Sequence, residues 1–298
     1  MYGLIILFLV AAGLIWLAGS VALVWRLRHP HRKTAGVAVA RGLATAPEEL
    51  GYAADAVTFT LDDGTEVEGW IIQGEAADGP LLVVSHGFND SRYGALTWLD
   101  RLAKHASHVV IFDHRGHGDS DAPVSAHGPK ESADLAVVTR QALDRAGERR
   151  VVLFGYSFGA GVALEAAVES EMDVAGVIGD GLYRWPLEAP AGYLRSRGWP
   201  ALPFTAAVGA WCRLTGGPVY DRAEQASRLA APLLLLHGDE DRICPIDSAR
   251  AVVEAAPVGR LEVFRGGRHL NLGCDFQAQY DAALSRFFDS VAAEADSA

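Results

Sequence analysis

Short apolar runs recur along the chain from position 57 onward, and each has the length of a buried strand. A hairpin over 57–73, turning at Asp62-Asp63-Gly64, comes first. The other predicted strands are 81–85, 109–112, 151–154, 174–178, 233–236 and 261–264, and the predicted helices are approximately 92–105, 131–146, 158–170, 246–256 and 276–293. This alternation predicts an α/β fold with a mostly parallel, eight-stranded sheet between two layers of helices.

The first apolar run is much longer than the others, because residues 3–25 contain no charged side chain. About 20 apolar helical residues span the ~30 Å hydrocarbon core of a bilayer. Trp25 stands where an interfacial anchor is expected, and basic residues follow it from Arg26 to Lys33. A cleaved signal peptide would instead need a basic segment before a shorter apolar run. The pattern favours an uncleaved single-pass anchor in the cell membrane, with the rest of the chain cytoplasmic by the positive-inside rule.

These patterns divide the chain into an anchor with its basic flank (1–33), a linker (34–55) and an α/β domain (56–298). Within the domain, the interval 181–230 interrupts the strand–helix rhythm and is interpreted as a lid over the carboxyl ends of the strands. Its aromatic residues include Tyr183, Trp185, Tyr193, Trp199, Phe204 and Trp211. Most of these rings are expected to pack the lid onto the body, and one or two facing a pocket would favour an apolar ligand.

Charge is distributed unevenly along the chain. Five of the 26 basic residues and none of the 37 acidic ones lie before position 42, so the remainder has 21 basic residues against 37 acidic ones. A body this acidic repels phosphate backbones, which argues against nucleic-acid binding. The three cysteines are too few and too scattered for a disulfide framework or a CxxC metal site.

The strongest chemical signal is the G-x-S-x-G sequence Gly155-Tyr156-Ser157-Phe158-Gly159. It directly follows the predicted strand 151–154 and opens an Ala/Gly-rich helix. A sharp strand-to-helix turn strains the backbone of its central residue, and flanking glycines leave room for that turn. In this setting the motif predicts Ser157 as a catalytic nucleophile.

A serine hydroxyl needs a base to take its proton, and the base needs an acid to orient it. His269 follows the last predicted strand and is the predicted base. Asp241 follows the strand 233–236 and is the predicted acid, which gives the chain order Ser, Asp, His. Asp239 in the same loop and Asp180 at the end of the preceding strand are the alternatives for the acid.

A tetrahedral intermediate also needs two backbone donors for its oxyanion. The predicted donors are the N–H of Phe158, directly after the nucleophile, and the N–H of Phe88, in the loop after strand 81–85. His114, His117 and Asp119 have the spacing of an H-x-x-H-x-D metal cluster, but neither a metal nor another cofactor is expected.

Together these motifs resemble the α/β-hydrolase superfamily. The resemblance is carried by His86-Gly87-Phe88, the run from Asp113 to Ser120, the G-x-S-x-G elbow, the run from His237 to Asp241, and Gly267-Arg268-His269. It covers residues 57–290, and the layout with an N-terminal anchor is similar to the Bem46-like and serine-aminopeptidase-like branches. The resemblance implies that the stretch from Asp113 to Ser120 is a structural loop rather than a metal site.

The expected activity is hydrolysis of a carboxylic ester or thioester with an apolar acyl group near the membrane, through an acyl-enzyme. Serine peptidase activity is the alternative within the same fold. A catalytically inactive membrane scaffold is the alternative from another class, and it is disfavoured because each catalytic position holds a competent residue.

Overall fold

The computed structural model describes residues 2–170, 172–215 and 220–296. Its strands are β1 (Ala54–Thr60), β2 (Glu66–Gln73), β3 (Leu81–Ser85), β4 (His108–Phe112), β5 (Val151–Tyr156), β6 (Val174–Asp180), β7 (Leu233–Gly238) and β8 (Gly259–Phe264). Its helices are α1 (Tyr2–Arg28), α2 (Ala35–Ala40), α3 (Arg92–Ala95), α4 (Leu99–Leu102), α5 (Pro129–Ala146), α6 (Phe158–Glu169), α7 (Glu188–Ser196), α8 (Leu202–Thr215), α9 (Arg222–Ser227), α10 (Ile246–Ala255), α11 (Leu272–Asp275) and α12 (Gln277–Asp296), with 3-10 turns at Pro47–Leu50, Leu96–Trp98 and Ala103–His105.

Among the described residues, the strands form one eight-stranded sheet in the order β1-β2-β4-β3-β5-β6-β7-β8. β2 pairs antiparallel with both β1 and β4, and every other pairing in the sheet is parallel. The predicted α/β fold with a mostly parallel sheet is therefore confirmed. The parallel strands bring their carboxyl ends to one edge of the sheet, which is where ligands bind in such folds.

The sheet is buried on both faces, which explains the unbroken apolar runs in the sequence. Successive residues of β3 point to opposite faces, so Leu81 and Val83 belong to one apolar cluster while Leu82 and Val84 belong to the other. Shifting the pairing of a strand by one residue would move each of these side chains to the opposite face of the sheet. Burial on both sides therefore fixes the register that aligns the strand ends.

Two stretches differ in detail from the sequence prediction. The single helix predicted over 92–105 is divided into α3, α4 and two 3-10 turns. The interval 34–55, predicted as a linker, contains α2 and a 3-10 turn, and Ala38 is fully buried. This interval therefore packs against the domain.

Between β6 and β7 the described residues form the helices α7, α8 and α9. Positions 216–219 of the predicted lid and the side chain of Trp211 lie outside the described part of the chain. Tyr183 is buried, but Trp185, Tyr193 and Trp199 are exposed. The expectation that most rings of this segment pack against the body is therefore wrong for these three.

Candidate active site

Ser157 occupies the turn between β5 and α6, with φ 52° and ψ −116°, a conformation that side-chain-bearing residues rarely adopt. The glycines on either side are sterically required. A Cβ on Gly155 would lie 2.2 Å from the Gly159 carbonyl oxygen, and one on Gly159 would lie 1.9 Å from the Ser85 carbonyl oxygen. The sequence therefore folds locally into the strained turn that the G-x-S-x-G pattern predicts.

Ser157, His269 and Asp241 form a continuous hydrogen-bonded chain. The Ser157 hydroxyl donates to Nε2 of His269 over 3.0 Å, and Nδ1 of His269 donates to Oδ2 of Asp241 over 2.6 Å. The three residues follow β5, β8 and β7, so the carboxyl edge of the sheet gathers them. The structure thus brings together the three residues that the sequence singled out.

The Asp241 carboxylate is held by the loop that carries it. Its Oδ1 accepts hydrogen bonds from the backbone N–H groups of Ile243 (2.8 Å) and Cys244 (2.9 Å), and its side chain is almost completely buried. His237 donates from Nε2 to the Cys244 carbonyl, and desolvation by burial lowers the pKa of this imidazole. With its position fixed, Asp241 holds the proton of His269 on Nδ1 and leaves Nε2 as the acceptor for Ser157.

The two alternative acids have other partners. Oδ1 of Asp239 accepts from the backbone N–H of Gly266, which shapes the neighbouring turn. Oδ2 of Asp180 accepts from the hydroxyl of Tyr280 over 3.0 Å, and burial raises the pKa of Asp180 to about 7. Because neither carboxylate is hydrogen-bonded to His269, the geometry favours Asp241 as its partner.

The residues predicted to supply oxyanion donors lie beside this site. Phe158 is the first residue of α6, so its N–H has no acceptor within the helix. The Phe88 ring packs edge-on against the Phe158 ring, with centroids 6.0 Å apart. Gly87 brings the Phe88 loop close to the elbow, since a Cβ there would lie 3.1 Å from the Tyr156 ring.

The H-x-x-H-x-D residues point to separate partners. Nε2 of His114 lies 2.8 Å from the Ser85 hydroxyl, whereas His117 bonds a backbone carbonyl through Nδ1. Asp119 is instead paired with Arg92 at 3.1 Å. Burial lowers the pKa of both imidazoles well below the usual value, so they are neutral packing groups in a structural loop.

One group of three ligand-type side chains within the described residues does come close together, namely Asp241, Cys244 and His269. Two of its members are already hydrogen-bonded to each other, and Oδ1 of Asp241 is occupied by backbone donors. Burial raises the pKa of the Cys244 thiol well above its usual value, which disfavours the thiolate that metals bind. This donor set is suited to proton transfer rather than to holding a metal.

Comparison with known proteins bears on this fold and site. The family model for the alpha/beta hydrolase fold matches residues 80–199, and the model for serine aminopeptidase S33 matches residues 219–273. A solved structure of the Pyrococcus furiosus esterase Pf2001 superimposes with a TM-score of 0.70 at 20% identity, covering 88% of this chain and 98% of that one. The chain has the α/β-hydrolase fold.

Two curated relatives of this hydrolase are mammalian. Human protein ABHD12B is 28% identical over 59% of the chain, and the rat lysophosphatidylserine lipase ABHD12 is 26% identical over 64% of it. The matches span only 50% and 49% of those two proteins. These relatives therefore resemble the chain over about half of their own length.

The segment after α1 docks onto the α/β domain through a set of contacts that the sequence did not predict. Nζ of Lys33 lies 2.8 Å from Oδ1 of Asp90, in the same loop as Phe88. Oδ2 of Asp90 accepts from the hydroxyl of Tyr156, the residue before Ser157. Arg32 donates to backbone carbonyls of the loop at 120–122. No local sequence signal pairs these residues, because their positions differ by 57 or more.

The role of one buried arginine was also not predicted from the sequence. Arg222 is completely buried, and its guanidinium stacks between the rings of Tyr183 and Tyr220 at 4.3 Å from each centroid. It donates to the carbonyl of Tyr183 and to the hydroxyl of Tyr220. A Cβ on Gly161 of α6 would lie 2.0 Å from this guanidinium. Arg222 thus joins α6, the helix that follows Ser157, to both ends of the insertion between β6 and β7.

Proposed function

We propose that this hydrolase is a membrane-anchored serine esterase or thioesterase that cleaves apolar acyl groups through a covalent acyl-enzyme. The observation that carries the proposal is the hydrogen-bonded chain from Ser157 through His269 to Asp241. Phe88 and Phe158 are assigned as the oxyanion donors. No cofactor takes part in the proposed reaction.

In the proposed reaction, Nε2 of His269 takes the Ser157 proton as Oγ attacks the acyl carbonyl carbon. The oxyanion that forms accepts hydrogen bonds from the backbone N–H groups of Phe88 and Phe158. His269 then gives its proton to the departing alcohol or thiol, which leaves the acyl group on Ser157. Water, deprotonated by the same imidazole, releases the acid and regenerates the hydroxyl.

The preference for an apolar substrate near the membrane rests on the first helix and on the relatives. Among the described residues, α1 is the helix that is long and apolar enough to cross a bilayer, and almost all of it is exposed. We assign it as a single-pass anchor whose basic flank places the hydrolase domain on the cytoplasmic side. The rat relative is named as a lysophosphatidylserine lipase, a lipid-cleaving activity that agrees with a membrane-proximal site.

Serine peptidase activity is the second candidate, because the serine aminopeptidase model matches residues 219–273, which include Asp241 and His269. Esters and amides would share the same acyl-enzyme chemistry. The leaving group distinguishes them, so aminoacyl nitroanilides are assayed beside esters and thioesters.

The test uses the full chain in detergent micelles, reacted with a fluorophosphonate probe and assayed with p-nitrophenyl esters of increasing chain length. We expect Ser157→Ala to abolish labelling and to lower turnover by more than about a thousandfold. Asp241→Asn should lower kcat by about 10⁴-fold, because the amide favours the wrong tautomer of the His269 imidazole.

Ser170→Ala is the matched control, since this hydroxyl sits at the other end of α6, about 20 Å along the helix from Ser157. It should keep both labelling and turnover. Labelling that persists in Ser157→Ala would contradict the assignment of Ser157 as the nucleophile. An unlabelled but folded wild-type protein would favour the scaffold alternative.

A further inference from the structure

The β6–β7 insertion carries an unusual share of exposed apolar surface. Outside α1, the described residues include eight exposed large apolar side chains, and five of them fall between positions 185 and 214: Trp185, Tyr193, Trp199, Leu202 and Leu214. The other three, Val39, Leu50 and Val258, are scattered. Scattered exposed apolar residues need no explanation, but this concentration in one segment makes the segment a candidate interaction surface.

This segment packs directly against α1. The indole N–H of Trp16 donates to the carbonyl of Pro203, and Ser20 is the buried residue of α1. A Cβ on Gly19 would lie 2.3 Å from the Phe204 ring, so the ring of α8 touches the backbone of α1. The beginning of α8 is therefore fixed at the level of residues 16–20 of the anchor.

That level corresponds to a depth in the bilayer. Trp16 precedes the first basic residue, Arg26, by ten positions, which is about 15 Å along a helix. The hydrocarbon core is about 30 Å thick, so an anchor that spans it carries Trp16 near its centre. Leu202, with 79% of its surface exposed, lies one residue from the Pro203 contact and thus at the same level.

The charges around this surface suit a lipid interface. Arg195, Arg197 and Arg213 are exposed, and they lie before and within α8 in an otherwise acidic protein. The acidic residue of α7, Glu188, is instead hydrogen-bonded to Ser248 of the body. Exposed arginines beside an apolar surface are attracted to anionic headgroups.

The other end of the insertion reaches the catalytic loop. A Cβ on Gly192 of α7 would lie 2.1 Å from the carbonyl of Ile243, whose N–H is bonded to Asp241. Leu187 in turn lies against Gly209 of α8. The insertion therefore bridges the loop that holds the catalytic acid and the membrane-spanning helix.

We propose that the partner of this surface is the lipid bilayer itself: the first half of α8 is embedded beside α1 in the adjacent leaflet and presents acyl chains to the site from the hydrocarbon layer. The inference rests on the anchor in the proposed function. It predicts substrates that are membrane-resident lipids or lipidated proteins rather than soluble esters.

The test places an environment-sensitive NBD label on the full chain in nanodiscs of phosphatidylcholine and phosphatidylglycerol that contain doxyl-labelled lipid. Cys274→Ser removes the exposed cysteine, while Cys212 and Cys244 are buried. The label is attached through Leu202→Cys on the lid. Leu9→Cys in α1 is the positive control, and Val258→Cys, an exposed apolar position before β8, is the matched control for water exposure.

We expect the label at Leu202→Cys to be blue-shifted and to lose most of its emission to the doxyl lipid, like the one at Leu9→Cys, while the Val258→Cys label keeps its emission. A water-like signal from Leu202→Cys beside a quenched Leu9→Cys would overturn the embedded lid and leave the anchor intact. Unquenched labels at both positions would overturn the anchor and the inference together. Fluorophosphonate labelling of the same samples reports the catalytic serine separately.

Discussion

Asp180→Asn removes a titratable group from the site without changing its shape, and the structure specifies the effect. The Asp180 side chain is completely buried, accepts one hydrogen bond from Tyr280, and has no hydrogen-bond partner for Oδ1 among the described residues. Desolvation by burial is the main cause that raises its pKa from 3.8 to about 7. An amide of the same size retains the acceptor for Tyr280 and carries no charge.

Proton linkage determines whether the free energy of unfolding rises or falls with pH. Below pH 3.8 both the folded and the unfolded chain hold the proton, so ionisation of Asp180 costs no stability there. Between pH 3.8 and about 7 the unfolded chain loses the proton while the folded chain keeps it, so the free energy of unfolding falls as pH rises. The slope is about 1.4 kcal/mol per pH unit, which gives at most about 4 kcal/mol near pH 7 and above.

The assay compares thermal midpoints of wild type and Asp180→Asn in detergent between pH 5 and pH 8, followed by near-UV circular dichroism. For a domain of this size about 1 kcal/mol corresponds to roughly 2–4 °C, so the advantage of the variant should grow by several degrees across the range and level off above neutrality. Asp144→Asn, at an exposed position of α5, should show no such trend. A difference between wild type and Asp180→Asn that is independent of pH would refute the reasoning. Asp180→Asn should also retain most ester turnover, because the structure gives Asp180 no hydrogen bond to His269.

Three further predictions concern contacts that hold the site from outside. Gly161→Ala should lower the free energy of unfolding by about 2 kcal/mol, because the added Cβ would meet the buried Arg222 guanidinium. The control Gly36→Ala, which has open space around it, should not destabilise the protein. Equal thermal midpoints of unfolding for the two variants would contradict the clash. Lys33→Met should cost less than about 1 kcal/mol because the ion pair is partly exposed. Asp90→Ala should lower the kcat for esters more than Lys33→Met does, because Asp90 also accepts hydrogen bonds from the Tyr156 hydroxyl and the Ser91 N–H. Equal losses of kcat would mean that Asp90 acts through the ion pair with Lys33 alone.

The parts of the site that the sequence predicts are those with local signals. Ser157 stands out because strand, glycines and helix are contiguous, and His269 and Asp241 each follow an apolar strand whose end faces the same edge. The acid is harder to select, since Asp239 and Asp180 also follow strands. Backbone donors from Ile243 and Cys244 make the difference, and those depend on how the loop closes.

The remaining features depend on contacts between distant segments. The stack of Arg222 between Tyr183 and Tyr220 requires the two ends of an insertion to meet, which no periodicity encodes. The exposure of Trp199 departs from the expectation that most rings of the insertion pack against the body. Trp199 directly precedes α8, and the contact of α8 with α1 is not encoded by any local pattern.

The arginine that joins Tyr183 to Tyr220 has a consequence for how this protein can diversify. Since one buried side chain closes the gap at both ends of the insertion, the chain leaves and re-enters the domain at the same place. Glu188 and Gly192, near the start of the insertion, contact Ser248 and the Ile243 carbonyl, so this part is tied to the loop that carries Asp241. The stretch after Gly192 and before Tyr220 is where length and composition can change without altering the strands. Grafting that stretch from another hydrolase should change which acyl chains the proposed enzyme accepts while it keeps the proposed chemistry at Ser157.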